Sequence, residues 1–420
     1  MVIGAGSEKG FVSDAKVREI VEKGLEGFGL DGKKVLVLTP DSTRTAPLPM
    51  FFGLLAELLR PRVAKLDFMI ALGTHPLMSE ERINALFGLT AKERKAKYAG
   101  INIYNHAWND PAQLKSIGTL TREVVREISG GLLDEAVNVS INKRIFDYDE
   151  ILVLGPTFPH EVVGFSGGYK YFFPGICGAE FLNFFHWLGA LITNVKIIGV
   201  KDTPVRRMIN KAMEFVPVSR HCISLVTTTD GLKGIYVGTC EEAYSAAADL
   251  SAKVHIVYKP RQYKLVISIA PEMYDDIWTA GKAMYKLEPV VAPGGTLVIL
   301  APHVTEVSYT HGKVIDRIGY HCRDYFLKNI DRFADVPRGV MAHSTHVRGG
   351  GICEGGVEKC TVNVILATGI GKERCELINL GYMDPKSIKI EDYEGREDEG
   401  ILVVHHAGEI LHRLESERPR

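Results

Sequence analysis

Lys34 to Arg44 reads KVLVLTPDSTR, a run of aliphatic and β-branched residues that breaks at a proline into four polar side chains. A short continuous apolar run is what a parallel strand covered on both faces requires. A helical stretch follows, roughly Pro49 to Leu59. Asp41, Ser42, Thr43 and Arg44 therefore stand between the carboxyl end of a strand and a helix, where open α/β sheets bind ligands. A helix cap would use Asp41 or Ser42 in the same position.

Outward from this run the pattern repeats. Asp14 to Leu30 has helical periodicity in Val17, Ile20, Val21 and Leu25. Leu66 to Leu72 is a second apolar strand that runs into Gly73-Thr74-His75-Pro76, and a helix begins near Ser79 with Glu80 and Glu81 suited to its first turn. Ile101–Tyr104 and Ala136–Ile141 read as further strands, with His106 structural. Ile151 to Leu154 leads through Gly155-Pro156 into HEVVGFSGGYKYFFPGICGAEFLNFFHW, His160 to Trp187. In this stretch Gly164, Gly167 and Gly168 permit positive φ and close approach of the backbone to a ligand. A lysine just after such glycines can neutralise a phosphate or act as an amine nucleophile. Pro174-Gly175 then turns the chain toward a helix over Ala179 to Leu191 that carries His186. The run is not a P-loop, because tyrosines flank Lys170 where that motif needs a following Ser or Thr. Three strand ends thus send Asp41 and Arg44, His75, and His160 with Lys170 toward one crevice, and this convergence is the case for an active site.

A second α/β region begins near Lys259. Lys264–Ala270 reads as a strand, Asp276–Leu287 as a helix and Gly295–Leu300 as a strand. Trp278 and Lys282 share a helix face, with Thr279 between them. His343 and His346 precede Gly349 to Gly351, and those glycines favour a loop over a helical pair of metal ligands. Val362–Ala367 and Ile401–Val404 are late strands, Glu391–Glu399 is a charged turn, and the tail after His412, ending in Arg-Pro-Arg, reads as frayed. The organisation expected is two α/β domains, 1-259 and 260-420, with an active-site cleft between them.

Composition narrows the class. The chain has 420 residues, 46% hydrophobic and 24% charged, with a formal charge of -1, so nothing electrostatic favours nucleic acid or an anionic membrane as partner. No leader or membrane span is visible, and a cytoplasmic location is expected. Seven scattered cysteines without a C-x-x-C pair argue for reduced thiols, with Cys177 a buried apolar residue.

DSTR at Asp41–Arg44, GTH at Gly73–His75, His160 and Lys170 within H-x9-K, GFSGGYKYFFPG at Gly164–Gly175 and the following His186 together resemble the lactate racemase family of nickel-dependent 2-hydroxy acid racemases and epimerases. The resemblance implies that Lys170 carries, through a thioamide, a nickel pincer nucleotide, a pyridinium mononucleotide that holds the metal by two sulfurs and a carbon. His186 would be the protein's own nickel ligand, giving a square-planar site. His75 and His160 would be the two acid/base histidines. Asp41, Ser42, Thr43, Gly164, Ser166, Gly167, Gly168 and Pro174 would support the cofactor, and Arg44, Lys282, Trp278 and Thr279 the substrate. Cofactor-maturation proteins are the implied partners, so recombinant protein made without them would lack the group.

The chemistry has its own logic. The C2–H proton of a 2-hydroxy acid is barely acidic beside an anionic carboxylate. Removing hydride while a histidine takes the hydroxyl proton gives a planar 2-keto acid, and return of hydride to the other face inverts the carbon. Two histidines then serve the two hands of substrate. The lactate enzyme has Tyr-Gln where Trp278-Thr279 stand here, so a bulkier hydroxy acid or a sugar acid is the alternative to lactate, with His343 to Gly351 the stretch expected to contribute to recognising the larger group. Two rival readings are a nicotinamide-dependent 2-hydroxyacid dehydrogenase, for which Gly4-Ala5-Gly6 is the early candidate and no strand precedes it, and a non-catalytic protein that binds a phosphate-bearing ligand.

Overall fold

The computed structural model describes residues 2–418. The chain forms two compact units. The first comprises Met1–Phe158, Phe165–Leu182 and Arg206–Val254; the second comprises Pro159–Gly164, Asn183–Val205 and His255–Arg420. The second unit thus begins, in its main body, four residues before the expected boundary at Lys259, and also takes in two earlier segments.

The first unit is built on a seven-stranded sheet ordered Ile3–Gly6, Gly231–Gly238, Ser219–Thr228, Glu150–Pro156, Lys34–Thr39, Lys65–Ile70 and Ile103–Asn105. The strands from Ser219–Thr228 to Ile103–Asn105 run parallel. Val35, Val37, Phe68, Ile70, Leu152 and Leu154 pack one face of it against helix Asp14–Glu26 and helix Leu48–Leu59. Both faces of the central strands are covered, which is why their sequences are apolar throughout rather than alternating. Ile3–Gly6 pairs antiparallel with Gly231–Gly238 at the edge, so Gly4 and Gly6 lie in a strand and not in a dinucleotide-binding turn.

Several local expectations hold closely. The Lys34–Thr39 strand is as read, and Ser79 caps the helix Glu80–Phe87 by accepting from the Arg82 N–H. Among the strands that went unread, Leu114–Leu120, LKSIGTL, is too polar to signal itself, yet it pairs antiparallel with Val137–Asn142. His106 is structural, held between the Cys177 carbonyl and the Asn142 amide, and burial pushes it down to about 4. All seven cysteines are free thiols, and Cys177 is fully buried.

The second unit holds a five-stranded sheet ordered Gly381–Tyr382, Asn363–Thr368, Val291–Ala301, Tyr263–Ile269 and Ile401–Val404, parallel throughout. Three readings need correction here. The expected helix Asp276–Leu287 is two short helices, Ile277–Ala280 and Lys282–Tyr285, meeting at Gly281, where a Cβ would lie 2.7 Å from Val347. His343 to Arg348 is not a loop but the end of helix Arg338–Arg348. The helix stops there because Gly349 takes φ 82°, and the Gly350 N–H donates to the buried Glu288 carboxylate at 2.7 Å. The tail does not fray from His412: Leu411–Leu414 pairs parallel with Ile256–Lys259, while Pro419 and Arg420 lie outside the described residues. Among the described residues no helix is long and apolar enough to cross a membrane.

Candidate active site

In the first unit the Glu150–Pro156, Lys34–Thr39 and Lys65–Ile70 strands are neighbours and parallel, so their carboxyl ends open on one side. Asp41 to Thr45 follow the middle strand. One Asp41 oxygen accepts from the Thr43 N–H at 3.0 Å and the Thr43 hydroxyl at 2.7 Å. The other oxygen is in short contact with Nδ1 of His75, which arrives from the Lys65–Ile70 strand. A carboxylate only accepts, so Nδ1 of neutral His75 carries the proton and Nε2 keeps its lone pair. Asp41 is buried while His75 is partly exposed, and Ser42 points to solvent. The Thr45 carbonyl accepts from the Thr227 hydroxyl at 2.7 Å, fastening this loop to the sheet.

Lys170 arrives from the third strand end. From Glu150 to Gly178 every residue is buried except Glu161 and Lys170. A lysine left partly exposed in such a run is held at an opening. The loop before it is fixed from within. Ser166 donates to the Pro156 carbonyl at 3.2 Å and accepts from the Phe158 N–H at 2.8 Å. Gly167 has φ 92° and ψ 175°, a region essentially closed to other residues, and a Cβ there would lie 2.4 Å from Thr157 Oγ1. That hydroxyl is buried without a hydrogen-bond partner among the described residues. Gly168, at φ 56°, packs on Tyr244, so a Cβ would meet its side chain at 2.9 Å.

Arg206, not among the candidates read from the sequence, spans this loop: its guanidinium donates to the carbonyls of Phe165 and Gly167 and stacks 4.1 Å from the Tyr244 ring. After the lysine, the Gly175 N–H donates to the Lys170 carbonyl at 3.1 Å, and the Gly175 carbonyl accepts from the Gly73 N–H at 3.0 Å. The lysine loop and the His75 loop are thereby tied. Pro174 follows a cis peptide. Beside Lys170, burial drives the Tyr171 hydroxyl upward while Arg44 opposes and Asp41 adds to it, which places both charges near this tyrosine. Asp41, Arg44, His75 and Lys170 are thus gathered within one unit.

The remaining candidates belong to the second unit, with Gly164. That glycine, at φ 86°, is demanded by the chain itself, since a Cβ would lie 1.8 Å from the Val200 carbonyl. His160 is buried, and its Nδ1 has two possible partners: it accepts from the Val162 N–H at 3.2 Å, and Glu161 Oε2 lies 3.3 Å away. The N–H serves a bare Nδ1 and the carboxylate a protonated one, so either state of the ring is satisfied. His186 is partly exposed on helix Ala179–Ile192, between the buried Phe185 and Trp187. Lys282 is buried with its ammonium 4.6 Å over the Tyr274 ring, and Thr279 donates its N–H to Asp276 at 2.9 Å.

Trp278 stacks on His343, with ring centroids 4.0 Å apart, and lies 4.5 Å from the His311 ring. His311 was not read from the sequence as a substrate group, and His343 was read as part of a loop, because the glycines after Arg348 disguised the helix that presents it. Among the described residues no group of three or more His, Cys, Asp or Glu side chains is arranged to hold a metal ion by itself.

Comparison with known proteins agrees with the motifs. The family model described as the lactate racemase N-terminal domain matches residues 7–197. The lactate racemase of Thermoanaerobacterium thermosaccharolyticum is 24% identical over 304 residues, which cover 70% of this chain and 66% of that enzyme. Its apoprotein structure superposes with a TM-score of 0.71 at 19% identity, covering 94% of this chain and 92% of that one. A Thermotoga maritima protein of known structure gives a TM-score of 0.89 at 33% identity, covering 98% of this chain and all of that one. The fold is that of the racemase apoprotein, and residues 7–197 match the lactate racemase N-terminal domain.

Proposed function

We propose that this protein is a racemase or epimerase of a 2-hydroxy acid, with a nickel pincer nucleotide tethered at Lys170. The observation that carries the reading is the gathering of Lys170, the Asp41–His75 pair and Arg44 at three adjacent strand ends, with the lysine loop bonded to the histidine loop through Gly73 and Gly175.

The residues present fit the group. Lys170 is the partly exposed amine in a buried run, and the unpartnered Thr157 hydroxyl lies beside the glycine cradle that precedes it. His186 offers one imidazole, and the nucleotide's sulfur and carbon donors would complete a square plane around nickel. When bound, the group supplies an electron-poor centre able to accept hydride and give it back.

The chain's own residues do the rest. Arg44 offers a guanidinium fork for the substrate carboxylate, with Lys282 as a second cation. His75, its Nδ1–H fixed on Asp41, presents the Nε2 lone pair to the hydroxyl proton. His160 serves the opposite hand, and its Nδ1 keeps a partner whether the ring is neutral or charged. Two such bases let one site run both directions. Loading would depend on the maturation proteins that build the nucleotide.

The test is intact mass and optical purity. Protein co-produced with the cofactor-synthesis enzymes should gain a covalent adduct that Lys170→Ala abolishes. His186→Ala should release nickel while keeping the adduct. Loaded protein should erode the optical purity of a chiral 2-hydroxy acid. An unmodified Lys170 together with unchanged optical purity would overturn the proposal and leave a non-catalytic ligand-binding protein.

A further inference from the structure

Resting on that reading, we propose that Trp278, His311, His343 and His346 form a subsite for an uncharged, hydroxyl-bearing tail of the substrate, so that the preferred substrate is a polyhydroxy acid rather than lactate.

All four belong to the second unit. Helix Arg338–Arg348 sets His343 and His346 on one face, three residues apart, and both are buried. His343 lies against the Trp278 indole and has the Tyr320 hydroxyl 3.4 Å from its Nε2. His311 lies on the same indole. Trp278 lies four residues before Lys282, the cation read as a carboxylate partner, on the short helix Ile277–Ala280 that meets the lysine's helix at Gly281.

The decisive atom is Nε2 of His346, which is buried and has no hydrogen-bond partner among the described residues, with the residue only 4% exposed. Buried polar atoms are nearly always bonded, so an orphan of this kind marks a place where a ligand atom belongs. The occupant must bring a hydrogen bond and no charge. A second carboxylate would meet neutral imidazoles and the nearby charge of Glu161, which acts on His346. An aryl tail could lie on the indole but would leave His346 unmet. A chain of hydroxyls can both donate to and accept from imidazole nitrogens, and a site built to bond hydroxyls rejects analogues that lack them.

The test has a binding arm and a turnover arm. Cofactor-free full-length protein is titrated by calorimetry with gluconate, lactate, malate and phenyllactate. Gluconate is expected to bind at least about tenfold more tightly than the other three. His346→Leu should erase that preference while leaving lactate affinity unchanged, and His346→Gln, which can still hydrogen-bond, should restore part of it. Equal affinities, a preference for malate or phenyllactate, or a variant that weakens lactate and gluconate alike would overturn the subsite. In the turnover arm, loaded protein that inverts lactate as readily as gluconate sinks the subsite and spares the racemase reading. Loaded protein that inverts no 2-hydroxy acid, while gluconate still binds selectively through His346, sinks the racemase reading instead.

Discussion

Asp41→Asn isolates the role of the Asp41–His75 pair. In the folded chain one Asp41 oxygen accepts two hydrogen bonds from Thr43 and the other faces Nδ1 of His75. An asparagine has one oxygen. If its amide nitrogen faced Thr43, two donors would meet a third, so the oxygen stays on Thr43 and the NH2 turns to His75. Nδ1 must then accept, the imidazole proton moves to Nε2, and the lone pair that takes the substrate's proton is gone. The fold should survive, because only one charge-assisted bond is weakened, at a cost of about 1–2 kcal/mol. A misplaced general base should lower kcat by about 10²- to 10⁴-fold in both directions. Turnover of loaded variant and wild type gives that ratio, while intact mass checks that Lys170 is equally modified. Nitrogen chemical shifts of His75 in cofactor-free protein report the tautomer directly. Wild-type turnover in Asp41→Asn, or an unchanged tautomer, would refute the reasoning.

Gly167→Ala forces a side chain into a glycine-only conformation and onto Thr157, so a loss of about 1–3 kcal/mol in urea unfolding is expected, with poorer adduct formation at Lys170. Arg206→Met strips donors from the Phe165 and Gly167 carbonyls, at about 1–3 kcal/mol for each one left buried and unmet, and should reduce loading while His75 keeps its partner. Burial holds His106 and His412 down to about 4, against about 6.5 in an unfolded chain. Between those values the unfolded state binds more protons, so their stabilisation is complete above pH ~6.5 and is lost as pH falls through ~4; a melting temperature flat over that window would contradict it.

Much of the first unit could be read directly because its strands are buried on both faces. Lys34–Thr39 announces itself by being apolar at every central position, and the abrupt change to Asp41–Arg44 marks the strand's end. The helix Ala179–Ile192 was equally legible, since Pro174-Gly175 turns the chain ahead of its apolar run. What stayed hidden depends on partners distant in sequence. Arg206 looks like any helix arginine until its guanidinium is found on the Phe165 and Gly167 carbonyls. Leu411–Leu414 reads as a tail because the strand it pairs with, Ile256–Lys259, lies far upstream. The helix bearing His343 and His346 was masked by three glycines whose real task is to end it: the left-handed turn at Gly349 and the bond from Gly350 to Glu288 are tertiary requirements that local propensity does not encode.

His160 has a quieter implication. One nitrogen of its ring faces a peptide amide and a carboxylate at nearly equal range, 3.2 and 3.3 Å. Either tautomer of the neutral ring therefore finds a partner with no swing of the imidazole: a bare Nδ1 takes the main-chain N–H, a protonated one the side-chain carboxylate. Under the proposed function only the tautomer held by Glu161 leaves Nε2 bare, so the contest between these two neighbours sets how much of the ring stands ready to accept a proton.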